Sequence, residues 1–401
     1  MKLKTLKQIK NLKDKRVLVR VDFNVPIKNG KVQDDSRIRA SLPTIKYLLE
    51  NDAKVILVSH LGRPEGMDKK LSLAPVLEKL KQISNFKSTS LEDRFPIFNQ
   101  LPIVNLEQAK IAIETMKQGQ VIMLENIRFF EEEEKNDKKF AKQLAKLVDV
   151  FVLDGFAVAH RETASVSGVA KYLPAYAGLL LESEILNLSQ LMIKPKKPYI
   201  AVLGGAKIET KLPVLKSVLK HADFILLGGG LVNTCLWAKG YEIGKSLLNK
   251  DFKKEALRLW KNKKIIFPVD VVVGDLKGKK YRVVNLNKKN EIKNSEAILD
   301  IGPATIRLYT KYIKSAQTLV WNGAMGYFEQ KPYDIGTLSI ARLVASRSKG
   351  KAFGVIGGGE TIQTMEMVGM MSDIDFISTG GGAMLEFLSG KKLPGLKALI
   401  K

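Results

Sequence analysis

Arginines and histidines recur at the ends of apolar runs in the first half of the chain: Arg20, His60, Arg63, Arg128 and Arg161, with His160 beside the last and Arg37 at a helix start. One such residue alone would be an ordinary surface charge. Their recurrence at successive strand exits carries more, because the exits of a parallel sheet converge on one rim. Guanidinium forks match the oxygens of phosphate and carboxylate in bidentate fashion, so this half reads as an anion pocket. Asp22 and Asn24 follow Arg20 at spacings of two, which point the same way along an extended chain.

The second half carries glycines instead. Pro198 to Leu212 reads PYIAVLGGAKIETKL: an apolar strand, the Gly204-Gly205 turn, then a helical pattern with Lys207 and Lys211 four apart and so on one face. Bare backbone N–H groups and a helix N-terminus facing an anion are a phosphate-cradling arrangement. Glycine triplets at 228–230, 357–359 and 380–382 also follow apolar runs and lead into helical patterns. Glycines often serve only as tight turns. Repeated triplets at strand-to-helix junctions point to backbone that approaches a nucleotide closely. Within Trp321-Asn322-Gly323-Ala324-Met325-Gly326-Tyr327-Phe328-Glu329 the alternatives are a core aromatic beside a turn, or Glu329 accepting hydrogen bonds from ribose hydroxyls. Glu360 and Thr361 follow Gly357-Gly358-Gly359, where a carboxylate either caps a helix or contacts Mg²⁺ held jointly with substrate phosphates. Gly240 to Ser246 imitates a P-loop with one residue too few and follows a helix, so it is rejected; no G-x-G-x-x-G fingerprint is present.

A chain of 401 residues suits two domains, and 45% hydrophobic with 27% charged residues is a globular composition. The net charge of +25 favours anionic partners, either phosphorylated metabolites or, as the competing class, nucleic acid. The lysines spread along the whole chain and aromatics make up only 7%, which argues against a nucleic-acid role. The single cysteine, Cys235, sits in an apolar run and reads as core packing; it excludes an internal disulfide. The N-terminal stretch lacks the apolar block of a signal peptide, and no run approaches the roughly 20 apolar residues of a membrane span. A cytoplasmic protein without membrane contact is expected.

These residues must be positioned by alternating strands and helices, which implies parallel sheets covered on both faces. Strands are expected within Lys15–Pro26 and over Ala53–His60, Val121–Phe130 and Val148–Arg161. A helix capped by Asp34-Asp35-Ser36 carries Pro43 inside it, another lies near Leu73–Ile83, and Glu131–Glu134 reads as the solvated first turn of a helix through Leu147. Leu179–Met192 has helical periodicity and ends before Pro195 and Pro198, which marks it as the connector between domains. Beyond it, strands are expected near 199–203, 223–227, 265–273, 318–321, 353–356 and 374–377, with a hairpin and loop over 276–300. The fold class is α/β: two Rossmann-like domains at 1–178 and 194–389, an interdomain helix and hinge at 179–193, and a tail at 390–401.

RVDFNVP, SHLGRP, LENIRF, AHR, LGGAK, GGG, WNGAMGYFE, GGGET and STGGGA occur in this order from residue 20 to 383. As an ordered set they resemble phosphoglycerate kinase over nearly the whole chain. The resemblance implies reversible phosphoryl transfer between 1,3-bisphosphoglycerate and ADP, giving 3-phosphoglycerate and ATP, by in-line transfer after domain closure in a monomer. It implies that the first domain binds 3-phosphoglycerate, with Asp22 and Asn24 at the carboxylate and hydroxyl region and His60, Arg63, Arg128 and Arg161 on the distal phosphate. Arg37 would be the catalytic arginine. Lys207 and Lys211 match the family's nucleotide-phosphate lysines, Lys207 also neutralising charge in transfer. Gly205, Gly229, Asn322, Gly357, Gly358, Gly359 and Thr361 would line the nucleotide site, Glu329 would bind ribose, and Glu360 would contact Mg²⁺. The tail would return to the first domain. Departures include Glu360 in place of a common aspartate, Glu162-Thr163 after the AHR sequence, Ala324 in place of a proline, and Gly155 in place of an alanine.

Overall fold

The computed structural model describes residues 2–84, 97–98, 102 and 104–400. The chain divides into two compact units, Met1–Leu186 with Lys392–Lys401, and Asn187–Lys391.

The first unit is built on strands β1 (Arg16–Arg20), a small hairpin β2 (Ile27–Lys28) and β3 (Lys31–Val32), then β4 (Lys54–Val58), β5 (Ile97–Phe98), β6 (Gln120–Met123), β7 (Val150–Leu153) and β8 (Ala175–Ala177). All but the hairpin form one sheet in the order β5-β6-β4-β1-β7-β8, and every pairing in it is parallel. In β1 the residues Val17, Leu18 and Val19 are fully enclosed, as expected of a strand covered on both faces. Helices α1 (Ser36–Glu50), α2 (Ala74–Ile83), α3 (Leu106–Glu114), α4 (Glu131–Glu134) and α5 (Lys138–Lys146) lie between the strands in the chain. At the start of α1, Asp34 Oδ1 accepts from Ser36 N at 2.8 Å, while Asp35 grips Arg39 and Lys79 and makes no side-chain cap.

The acidic run is not the first turn of one long helix. α4 ends at Glu134, the chain turns through Asn136 at φ 51°, and Asp137 caps α5 by accepting from Phe140 N at 2.8 Å. Glu133 points inward and is 1% exposed, so one member of a run that looked solvated belongs to the interior. The segment 392–400 packs with the first unit: Lys4 N donates to Leu399 O at 2.7 Å and Gly395 N to Ala159 O at 2.9 Å.

Helix α6 (Leu179–Gln190) contains the division between the units, which falls after Leu186. The second unit has strands β9 (Tyr199–Leu203), β10 (Phe224–Leu227), β11 (Ile265–Ile266), β12 (Asp270–Gly274), β13 (Tyr281–Asn285), β14 (Ala297–Ile301), β15 (Thr318–Asn322), β16 (Phe353–Gly357) and β17 (Phe376–Ser378). Its helices are α7 (Ile208–Val218), α8 (Gly230–Ala238), α9 (Lys253–Trp260), α10 (Pro303–Ser315), α11 (Ile335–Lys351), α12 (Gly359–Met367) and α13 (Gly382–Leu388). A parallel sheet runs β11-β10-β9-β15-β16-β17, with Trp321, Ile200, Val202 and Ile356 in the core on it.

The run 265–273 is two strands, not one. Pro268 cannot donate to a ladder, and the chain breaks there. β12 then joins β13 and β14 in a separate three-stranded antiparallel sheet, so the polar region 276–300 holds a hairpin strand and a third strand. Asp270, at the start of β12, accepts from Ala304 N at 2.9 Å and Thr305 N at 2.7 Å, the first turn of α10. Cys235 is fully buried on α8, and burial pushes its thiol up to about 12, which suits core packing. Among the described residues, no helix is long and apolar enough to cross a membrane.

One buried acid makes the first unit's stability depend on pH. Asp154, at the end of β7, accepts from Thr44 Oγ1 at 2.8 Å and Leu180 N at 3.1 Å, while its Oδ2 has no partner among the described residues. Burial raises this carboxyl to about 7. The folded state therefore holds a proton that the unfolded state has released between about pH 4 and pH 7, so stability falls as pH rises through that window. Urea denaturation should show Asp154→Asn flattening the difference in stability between pH 5 and pH 8 by about 3 kcal/mol.

Candidate active site

In the first unit the rim is assembled by strand exits. Beyond β1, Asp22 is 7% exposed, and Arg37 reaches from the first turn of α1 to place Nη1 2.6 Å from Asp22 Oδ2 and 3.4 Å from Asn24 O. Asn24 Oδ1 accepts from Gly62 N at 2.9 Å, which ties the exit of β1 to the loop after β4. Arg128, past the end of β6, donates to Gly62 O at 2.6 Å and pairs with Glu134 Oε1 at 2.5 Å. Asn126 holds the same loop, donating from Nδ2 to Leu61 O at 2.8 Å and Leu71 O at 2.9 Å.

His60 lies at the centre and is 3% exposed. Its Nδ1 is 3.4 Å from Arg20 Nη2 and 3.9 Å from Asp22 Oδ1. Burial first, then the charges of Arg20, Arg128, Arg161 and Arg37, hold its pKa well below the ordinary histidine value, so the ring is neutral at pH 7. The structure thus brings together Asp22, Asn24, Arg37, His60, Arg128 and Arg161. Arg63 is exposed and takes part in none of these contacts among the described residues. Sequence reasoning missed Glu133 and Ser165, which hold Arg20 from behind. A glutamate inside an acidic run gives no sign of being buried, and Ser165 carries no motif.

In the second unit a cavity of about 450 Å³ is lined by Lys207, Lys211, Asn322, Gly358, Gly359, Glu360 and Thr361, with Gly205 and Gly323. Lys207 stands at the N-cap position of α7 and is exposed. Lys211, one turn on, is half-buried; its Nζ meets Asn322 Oδ1, and burial lowers its pKa while Glu360 works in the opposite direction. Asn322 Nδ2 donates to Gly357 O at 2.5 Å, Gly323 N donates to Thr361 Oγ1 at 2.8 Å, and Ala324 N donates to Glu360 Oε2 at 3.3 Å. The starts of α7 and α12 both line this cavity, and the start of α8 lines the adjoining one, which favours anions there.

Not every glycine faces that space. At Gly229 (φ 64°) a Cβ would lie 2.8 Å from Gly205 N, and at Gly323 (φ 91°) it would lie 2.4 Å from Gly204 O. These glycines let separate turns pack backbone against backbone, so Gly229 acts first on the shape of the site. Nothing lies within 4 Å of where a Cβ would stand on Gly359. An adjoining cavity of about 420 Å³ shares Gly205, Ala206 and Glu360 with the first and has apolar walls that include Val271, Leu299, Met325 and Phe328, with Glu329 also lining it. A polar, cation-lined chamber opening beside an apolar one suits a ligand with phosphates at one end and a planar base at the other. Glu360 is the carboxylate in the cation-lined chamber, and no cluster of three or more potential metal ligands occurs among the described residues.

The family model for phosphoglycerate kinase matches residues 6–391. The chain is 46% identical over 405 residues to the phosphoglycerate kinase of Pelotomaculum thermopropionicum, covering 99% of each chain, and 44% identical over 395 residues to that of Dictyoglomus turgidum, covering 97% of this chain and 96% of the relative. The solved phosphoglycerate kinase of Coxiella burnetii matches with a TM-score of 0.85 at 39% identity, covering 99% of this chain and 98% of that one. That of Pyrococcus horikoshii OT3 matches with a TM-score of 0.82 at 34% identity over the same shares. With the family's model and its relatives both spanning nearly its full length, the chain belongs to the phosphoglycerate kinase family and is a phosphotransferase of glycolysis.

Proposed function

We propose that the first unit binds 3-phosphoglycerate and the second binds ATP or ADP, and that the chain passes a phosphoryl group between ATP and the carboxylate of 3-phosphoglycerate, 1,3-bisphosphoglycerate and ADP being the reverse pair. The observation that carries this is the clustering of Arg37, Arg128 and Arg161 about the buried, neutral His60, with Asp22 holding Arg37 at the edge. The acceptor is a carboxylate, ionised at neutral pH, so no general base is needed to activate it. A site made of cations and a neutral imidazole meets that requirement. What the reaction demands is alignment and neutralisation of phosphoryl oxygens.

Each residue then has a task. His60, Arg63, Arg128 and Arg161 hold the distal phosphate, and Asp22 and Asn24 orient the carboxylate and hydroxyl end. Arg37 is about one-third exposed, which leaves its guanidinium free to turn from Asp22 to the migrating group. Lys207, Lys211 and the N-termini beside them receive the nucleotide phosphates, and Glu329 receives the ribose. A single carboxylate, Glu360, in the cation-lined chamber fits a Mg²⁺ ion that arrives with its nucleotide, because magnesium is commonly held by one or two carboxylates plus phosphates. When bound, that ion neutralises phosphate charge. Because donor and acceptor belong to different units, transfer requires the units to close on the reacting group and expel water, with α6 as the connecting element. A monomer working in the cytoplasm completes the reading.

A coupled assay should show ATP consumption that requires both 3-phosphoglycerate and Mg²⁺; turnover without either overturns the assignment. Arg37→Ala should lower kcat by about 10³-fold while circular dichroism shows the fold retained, in line with the worth of an arginine placed on a transferring phosphoryl group. Lys207→Ala should weaken nucleotide-dependent turnover far more than 3-phosphoglycerate binding measured by calorimetry, and the reverse result rejects the assignment of ligands to units.

A further inference from the structure

Behind the rim of the first unit runs a buried chain of hydrogen bonds that none of the tasks above uses. Glu133 Oε2 accepts from Ser165 N at 2.8 Å, and Glu133 Oε1 accepts from Ser165 Oγ at 2.7 Å. Ser165 Oγ in turn accepts from Arg20 Nε at 2.8 Å, Arg20 Nη1 donates to Val21 O at 2.5 Å, and Arg20 Nη2 faces His60 Nδ1 at 3.4 Å. Glu133, Ser165, Arg20 and His60 are each 3% exposed or less.

The direction of this chain is fixed by chemistry. A guanidinium has donors and no acceptor, so the imidazole nitrogen facing Arg20 must be the bare one. If Nδ1 carried a hydrogen, two donors would face each other. The nearby acceptor, Asp22 Oδ1, is 3.9 Å away, beyond hydrogen-bond reach, and already takes Asn24 N at 3.2 Å. The proton therefore sits on Nε2, which has no hydrogen-bond partner among the described residues. Rotation of Arg20 out of this geometry is blocked by Ser165, whose hydroxyl hydrogen is committed to Glu133 and whose lone pair is thereby turned toward Arg20 Nε. The Glu133 charge also opposes the cost of burying Arg20, as does Asp22.

The geometry points to Glu133 and Ser165 as positioning residues that, through Arg20, fix His60 as the neutral Nε2–H tautomer, so that the ring offers the bound anion a hydrogen-bond donor and not a base. The identity of that anion rests on the function proposed above; the tautomer does not. It also deepens that function, because a neutral donor adds a directed hydrogen bond to the bound anion without adding another cation to an already crowded pocket.

Ring-¹⁵N NMR of the intact protein tests the tautomer directly, and with three histidines in the chain the His60 signals can be assigned from a His60→Gln variant. The expected result is a bare-nitrogen shift for Nδ1 and an N–H shift for Nε2 at pH 7. A protonated ring, or a hydrogen on Nδ1, overturns the inference without any variant of the relay. Ser165→Ala should let His60 sample both tautomers and raise KM for 3-phosphoglycerate about tenfold, the worth of one charge-assisted hydrogen bond. KM for ATP and kcat should stay within about twofold, and Ser165→Thr should restore the wild-type values. Equal rises in both KM values, or an unchanged tautomer and KM, refute the relay. Should Ser165→Ala fail to fold, Glu133→Ala, which removes the acceptor of the Ser165 hydroxyl, carries the same expectations. If the unmodified protein shows no turnover with 3-phosphoglycerate, the function falls, while the NMR result still decides the tautomer.

Discussion

Gathering like charges around a buried ring is the constraint on which the first unit is built. Arg20, Arg37, Arg128 and Arg161 repel one another, and all disfavour a charge on His60. Such a cluster survives only because each cation whose contacts are resolved has an anchor: Asp22 for Arg37, Glu134 for Arg128, Ser165 backed by Glu133 for Arg20. Removing the anchor of Arg20 or Arg128, both buried, would leave a charge uncompensated, which costs several kcal/mol. The resulting excess of positive charge is then available to an incoming anion, whose binding relieves the repulsion. On the assignment proposed above, affinity for phosphate is in this sense stored in the arginine cluster as electrostatic strain.

The second unit solves a different problem by close approach of main chain. Turns at Gly204-Gly205, Gly229 and Gly323 touch one another through backbone atoms, and helix N-termini gather beside them. Side-chain bulk at these turns would push the helices apart and enlarge the chamber. Lys211, anchored on Asn322, and Glu360, resting on Ala324 N, then line a floor whose shape is set by main chain. Under the ligand assignment proposed above, the two units meet phosphate oxygens by different physical means: guanidinium forks in one, backbone dipoles and ammonium groups in the other.

Much of this was legible from sequence. Unbroken apolar runs such as VLV in β1 and YIAVL in β9 announce strands covered on both faces, and polar residues at their exits announce the rim. What sequence could not supply was which polar residue turns inward. Glu133 sits among other glutamates and is distinguished only by the turn at Asn136, a tertiary event. The break at Pro268 was missed inside a run read as one strand, and nothing local says that β12 would leave one sheet for another. The glycine triplets were legible as turns at a site, but pattern alone does not separate Gly359, which has open space, from Gly229, which packs on Gly205.

The pairing of Lys4 with Leu399, and of Gly395 with Ala159, has a consequence for biosynthesis. The ribosome completes every residue of the second unit before it reaches those that seal the first. A nascent chain therefore carries its arginine-lined half unfinished while the glycine-rich half already has all its strands. The residues of the lobe begun first are thus the last to be complete.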